Sequence, residues 1–349
     1  MAINLLHYST GNDDPTWGVV RGNTVLPLPG EYATTADVLD QGADAARTLL
    51  GESGKPGIPL TGVTPLNPVA GARVVCQGAN YQAHIAESGM DPNRPYNLLF
   101  TKSSGSLTGA RDDIVAPSHV KLLDYEIELG IVIGKAITAP TLVSADNVGE
   151  YIGAFVVAND VSARDIQLPQ GQFYKGKSYR TFCPVGPYLC VPDANEIDRW
   201  RDLRLTLSVN GSVRQGALAG EMIFGPAETL TEFSQLENLA VGDLLLTGTP
   251  GGVAIHPPKA IVQRAVAALM PEARKWALFV NMQRRNPAFL KPGDEVVASI
   301  RTDDGALDLG TQHNTVTTHS ALTVSRSIPN DTIHRTLVRR TLGRQDCSR

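Results

Sequence analysis

Six short segments rich in β-branched and aliphatic residues, with few long amphipathic helices between them, constrain this chain most. They read ARVVCQG, YEIELGIVIG, YIGAFVVAND, LRLTLSVNG, DLLLTGTP and DEVVASIRT. Side chains of this kind fit a pleated, half-buried surface. The Asn210-Gly211 pair between LTLSV and SVRQ marks a two-residue hairpin turn, because both residues tolerate the positive φ such a turn needs. The pattern predicts a mostly β, α+β body with short helices, not an alternating βαβ nucleotide-binding fold.

Composition narrows the class. The 349 residues suit one large domain or two unequal ones. A net charge of -4, from 31 basic and 35 acidic residues, excludes a basic nucleic-acid footprint spread over the whole chain. The 33 glycines and 23 prolines follow no collagen-like period, and with 42% hydrophobic residues wholesale disorder is not expected. No apolar run approaches the ~20 residues that span a bilayer. The opening MAINLLHYSTGNDD has neither a basic n-region nor an apolar h-region, so a cytoplasmic protein without a secretory signal is expected. Cys76, Cys183, Cys190 and Cys347 form no C-x-x-C pair and read as small thiols in a reducing compartment.

Three boundaries follow from texture. Residues 1–70 form a small leading region with strand-like WGVVRGNTVLPL, one helix candidate and a closing Gly/Pro-rich loop. Residues 71–320 form the β-rich body, interrupted at about 255–290 by an Ala-rich, helix-prone insertion that Pro271 divides into two short helices. Residues 321–349 form a polar tail with six arginines, expected to be frayed or packed on a partner, and too little for specific nucleic-acid binding.

The carboxylates carry the most informative pattern. In Asp124-Tyr-Glu-Ile-Glu-Leu-Gly130, Glu126 and Glu128 are two apart in a strand, so both project from one face. Like charges side by side repel unless solvent or a cation intervenes; a solvated strand face and a metal site both fit. Asp160 ends the apolar strand AFVVAND, where a turn or helix cap is the alternative to a site residue. Three hard oxygen donors would suit Mg²⁺ or Mn²⁺. Zinc would call for His or Cys, which these motifs lack.

Other residues add to this. His84 and Glu87 are i and i+3 on a helical turn and can pair, the arrangement of a carboxylate-oriented general base. A commonplace surface pair is the alternative. Lys177 and Arg164 are candidate anion binders or simply exposed bases. The loop Leu246-Thr-Gly-Thr249-Pro-Gly-Gly-Val253 lacks the Gly-Lys-Ser/Thr ending of a Walker loop; its amides and the Thr249 hydroxyl would hold a carboxylate, unless it is an ordinary turn.

In order, N-Y-x-x-H-x-x-E, D-Y-E-x-E-L, N-D-V-S-A-R-D-x-Q, K-S, C-P-V-G-P, V-N-G, G-D-x-x-x-T-G-T-P-G-G-V and K-P-G-D-E-V resemble the fumarylacetoacetate hydrolase family over residues 72–254 and 290–311. The resemblance implies a mixed β-sandwich roll with a small N-terminal region, assembled as a homodimer. It implies Mg²⁺ or Mn²⁺, with Ca²⁺ also open, held by Glu126, Glu128 and Asp160. It implies catalytic roles for His84, Glu87 and Lys177, and contacts from Arg164, Gln167 and Thr249 to an oxo-acid substrate. Larger fumarylacetoacetases add an aspartate ligand where this chain has Gln77, so the chain resembles the acylpyruvase and oxaloacetate decarboxylase branch. The expected activity is hydrolysis of a C–C bond in a 2,4-dioxo acid of the acylpyruvate or fumarylpyruvate type. A decarboxylase or isomerase of an oxo-diacid, such as oxaloacetate or 2-hydroxyhepta-2,4-diene-1,7-dioate, is the alternative, and a catalytically silent binding homologue is a third. The short Asp160–Lys177 segment implies a trimmed substrate loop, and the 255–290 insertion is expected to cap the pocket or thicken a dimer contact.

Overall fold

The structure is a computed structural model and describes residues 1–11, 14–88, 91, 96–256 and 271–318. The chain opens with β1 (Ile3–Ser9), β2 (Thr16–Arg21) and β3 (Thr24–Pro27), then a helical stretch over Thr35–Gly51 that is π-helical at Val38–Gly42, and short strands β4 (Ile58–Pro59) and β5 (Thr64–Pro65). Next come β6 (Val74–Gly78), a helix over Gln82–Ser88, β7 (Leu98–Lys102), β8 (Leu107–Gly109), β9 (Ile114–Ala116), β10 (Leu123–Asp124), β11 (Ile127–Ile133), β12 (Ile152–Asn159) and β13 (Ser162–Ala163). Helices Arg164–Gln170 and Tyr174–Lys177 precede β14 (Cys183–Val185), β15 (Tyr188–Val191), β16 (Leu203–Val209) and β17 (Ser212–Leu218). Helix Pro226–Leu236, β18 (Leu244–Leu246), helix Glu272–Gln283, β19 (Glu295–Thr302) and β20 (Asp308–Thr318) complete the described part.

Two large sheets hold most of these strands, and β10 pairs with β13 in a separate two-stranded ribbon. A mixed sheet runs β4-β3-β2-β1-β15-β12-β11-β18-β6-β7, and a five-stranded sheet runs β17-β16-β19-β20-β9. The leading strands are not a separate sheet: β1 pairs antiparallel with β15, Ile3 opposite Val191. All seven residues of β11 are buried, so both faces of the sheet are covered there. On one side Ile127, Leu129, Ile131, Phe155 and Val157 pack with Leu205, Leu207, Val296 and Ile300 of the second sheet. On the other, Val132, Ala154 and Val156 pack with Leu5, Val19, Ala46 and Leu49 of the leading region. Strand side chains alternate, so this division of β11 and β12 follows from period two. A strand buried on both faces reads as a continuous apolar run, which is what IELGIVI is.

All six predicted strand segments form strands. The turn between β16 and β17 is the predicted hairpin, with Asn210 at φ 51° and Gly211 at φ 75°. In the insertion, helix Glu272–Gln283 begins directly after Pro271, and its Phe279 and Val280 pack on the inter-sheet core. The first expected helix falls on residues 257–270 and, like the tail at 321–349 and Cys347, lies outside the described residues. Cys76, Cys183 and Cys190 are buried free thiols. Among the described residues no helix is long and apolar enough to cross a membrane.

Candidate active site at the ends of the central strands

Neighbouring antiparallel strands bring three carboxylates together. Ile127 of β11 faces Asn159 of β12, so Glu126 and Asp160 stand side by side just beyond the pairing. The Asp160 amide donates to the Glu126 carbonyl (2.8 Å), and the Glu126 amide donates to Asn159 Oδ1 (2.9 Å). Glu128 projects two residues further along the same face. Ligand atoms of Glu126, Glu128 and Asp160 all lie within 4.8 Å of one another, and all three residues are buried.

Cations thread between them. Lys177, at the end of its short helix, donates to Glu126 Oε2 (2.6 Å) and to Asp160 Oδ2. Arg164 donates to Glu126 Oε1, to Asp124 Oδ2 (2.8 Å) and to Gln167 Oε1 (2.9 Å). Lys102, at the end of β7, donates to Asp160 Oδ1 and to the Phe182 carbonyl (2.7 Å). The result is a buried chain of alternating charge: Lys102, Asp160, Lys177, Glu126, Arg164, Asp124.

Glu128 stands apart. Its Oε2 accepts from the Gly248 amide (2.8 Å), and it makes no ion pair among the described residues. Burial, then the charges of Asp160 and Glu126, push its carboxyl well above the usual range. Burial alone would also raise Glu126, but Arg164 and Lys177 outweigh it and hold that carboxyl well below. Burial would lower Lys177, yet Asp160 and Glu126 keep its ammonium above its ordinary value. Three convergent oxygen donors, one without a counter-ion, fit a hard divalent cation.

A cavity of about 130 Å³ opens beside the carboxylates. Glu126, Glu128, Arg164, Gln167, Lys177, Thr249 and His84 line it, with Leu98, Phe100, Leu168, Phe173 and Ile255 as its apolar wall. His84 is buried; burial lowers its pKa, and its Nδ1 has no hydrogen-bond partner among the described residues. Glu87 does not turn to His84: its carboxylate accepts from the Gly252 amide at 3.1 and 2.8 Å. That bond ties helix Gln82–Ser88 to the Gly-rich loop after β18. Thr249 Oγ1 donates to the Ile127 carbonyl (2.9 Å) and accepts from Gln215 (2.8 Å).

The site thus gathers Glu126, Glu128, Asp160, Lys177, Arg164, Gln167, Thr249 and His84, while Glu87 faces the neighbouring loop. Sequence reasoning missed Lys102, Asp124 and Gln215. Asp124 accepts from Arg164 and from the amides of Tyr125 (2.9 Å), Ala254 (2.8 Å) and Ile255 (3.2 Å). Its place beside the Glu-x-Glu pair was a usable signal. Lys102 and Gln215 carried none, since their partners lie far along the chain.

Comparison with known proteins places the chain in a family. A family model described as "Fumarylacetoacetate (FAA) hydrolase C-terminal" matches residues 73–317. The mitochondrial oxaloacetate tautomerase Fahd2a of Rattus norvegicus is 36% identical over 290 residues, covering 81% of this chain and 80% of that protein. The 2,4-didehydro-3-deoxy-L-rhamnonate hydrolase of Sphingomonas sp. (strain SKA58) is 38% identical over 230 residues, covering 64% of this chain and 75% of that one. Among solved structures, a probable 2-hydroxyhepta-2,4-diene-1,7-dioate isomerase from Mycobacterium abscessus superposes with a TM-score of 0.69 at 26% identity, covering 92% of this chain and 100% of that one. With a family model spanning most of its length and relatives above 30% identity, the chain belongs to the fumarylacetoacetate hydrolase family.

Proposed function

We propose that this protein is a divalent-metal-dependent enzyme of short 2-oxo acids, and that its reaction is proton transfer at the carbon beside the oxo group, an enol–keto tautomerisation of the oxaloacetate class. The observation that carries the reading is the buried three-carboxylate cluster beside a small cavity that His84, Lys177, Glu126 and Glu128 line. The similarity to an oxaloacetate tautomerase over four-fifths of both chains supports it.

Glu126, Glu128 and Asp160 would hold Mg²⁺ or Mn²⁺, which when bound polarises the substrate's carbonyl oxygens as a Lewis acid. Lys177 keeps its proton and sets a positive charge where the enol oxygen becomes negative. His84, whose pKa burial lowers and whose Nδ1 is unpartnered among the described residues, is the base that carries the proton between the two atoms: from carbon to the enolate oxygen in one direction, and from the enol oxygen to carbon in the other. Arg164 and Gln167 orient the acid, and the apolar wall keeps bulk water out. At about 130 Å³ the cavity is small beside the roughly 300–1,000 Å³ of drug-sized ligand sites, which favours a short acid.

Hydrolysis of a C–C bond in a 2,4-dioxo acid is the second reading, favoured by the position of His84 and by the similarity to a hydrolase. It asks more of the site: Glu87 must leave the Gly252 amide to orient His84 toward water. Assaying enol-oxaloacetate conversion, pyruvate release from acylpyruvates and CO₂ release from oxaloacetate side by side, with Mg²⁺ or Mn²⁺, separates the readings. The fastest reaction is expected to be enol–keto conversion; faster pyruvate release would replace tautomerisation with hydrolysis.

A further inference from the structure

Lys102 lies outside the lining of the cavity, yet it is among the most deeply buried charges described, with a side chain 0% exposed. A lysine is rarely buried so completely without a partner that requires it. Its ammonium has two acceptors: Asp160 Oδ1 and the Phe182 carbonyl at 2.7 Å. Phe182 immediately precedes β14, Asp160 follows β12, and Lys102 ends β7 opposite Val74 of β6. One ammonium therefore fastens the ends of three strands around one carboxylate.

The other half of Asp160 is differently placed. Its amide is fixed on the Glu126 carbonyl at 2.8 Å, and its Oδ2 meets Lys177 between Asp160 and Glu126. With the backbone held and Oδ2 on Lys177, the freedom left to the carboxylate is a swing about that contact, and Lys102 limits it by pinning Oδ1.

We infer that Lys102 is a positioning residue for Asp160, holding one carboxylate oxygen so that the other faces Glu126 and Glu128 at the spacing a small divalent ion needs. The inference rests on the reading of these carboxylates as a metal centre. It has a consequence beyond overall affinity. Mg²⁺ demands near-ideal octahedral geometry at about 2.0–2.1 Å, whereas Ca²⁺ accepts looser geometry at about 2.3–2.6 Å. A carboxylate free to swing penalises Mg²⁺ more than Ca²⁺, so Lys102 sets the preference between them.

The test titrates Mg²⁺ and Ca²⁺ separately into the metal-stripped full chain by calorimetry, for wild type, Lys102→Met and Lys102→Arg. Outer-shell partners of metal ligands typically change affinity about 10–100-fold. A Mg²⁺ loss of that size in Lys102→Met, with a smaller Ca²⁺ loss, is expected. Lys102→Arg keeps the charge but presents a wider planar fork in place of a compact ammonium, so it should fold and still lose part of the Mg²⁺ preference. If Lys102→Met fails to fold, the arginine variant decides by the same ratio. Equal losses for both ions, or an unchanged ratio in a folded variant, overturn the inference alone. Wild type binding neither ion overturns the metal reading and this inference together.

Discussion

Two sets of ion pairs in this molecule use the same chemistry in opposite surroundings. At the surface, Arg204 meets Asp303 through two bonds of 2.8 Å, and Arg199 meets Asp304 at 2.8 Å, with side chains 31–71% exposed. In the interior, the chain from Lys102 to Asp124 has side chains no more than 6% exposed. Water and salt screen the first set, so each pair contributes little. Removing one member of the second leaves a bare charge where water cannot follow. Ionic groups placed so deep are costly, and three of this chain, Glu126, Arg164 and Lys177, line the cavity. Glu128 is the exception within the interior set, since it has no counter-ion among the described residues and its surroundings push its carboxyl well above the usual range.

That exception supplies the largest expected effect. Glu128→Gln mimics the protonated carboxyl, so the variant should melt at or above the wild-type temperature while losing divalent-ion binding and activity together. Calorimetric metal titration and a thermal melt of the same sample check this. Activity that survives would remove Glu128 from the metal set. His84→Asn should lower turnover by about 10²–10⁴-fold, the usual contribution of a positioned acid–base group, with metal affinity unchanged. A loss confined to KM would make His84 a binding residue instead.

Asp124→Asn tests the interior set from its far end. It leaves Arg164 with one carboxylate in place of two and should destabilise the fold by about 3–5 kcal/mol, as breaking a buried pair does. Chemical denaturation measures it, and a change as small as that of a surface substitution would show that the buried chain is not continuous. At the surface, Arg204→Ala should leave the melting temperature unchanged.

A small effect at the same surface is set by pH. The Thr302 hydroxyl, the Ala306 amide and Arg199 hold Asp304 at about 2 against an ordinary 3.8. A depressed carboxylate adds its stability above 3.8 and loses it as pH falls toward 2. The small difference in melting temperature between wild type and Asp304→Asn should therefore shrink over that window. A difference that persists at pH 2 would contradict the pairing.

How much of this was legible in the sequence depended on the distance between partners. Period two placed Glu126 and Glu128 on one face, and the end of an apolar strand pointed to Asp160. Local chemistry also gave the Asn210-Gly211 turn. Contacts made across the fold were harder to read. Lys102 closes an apolar strand as a solvent-facing lysine would, and its carboxylate lies 58 residues away. Arg164, which the sequence left open as an exposed base, is buried because Asp124 and Glu126 neutralise it from strands that only the sheet brings near. Glu87 offered a local partner in His84, and a loop amide 165 residues later took its place. The joining of β1 to β15 was equally silent, since pairing between distant strands leaves no local pattern.

The central claim is that the three carboxylates act by holding a divalent ion over a short oxo acid. The most direct measurement is the rate of enol-to-keto conversion of oxaloacetate before and after the protein is stripped with a chelator and then resupplied with Mg²⁺ or Mn²⁺. The expected result is conversion at the uncatalysed rate after stripping, with recovery on adding the ion. An undiminished rate in the stripped protein would contradict the claim.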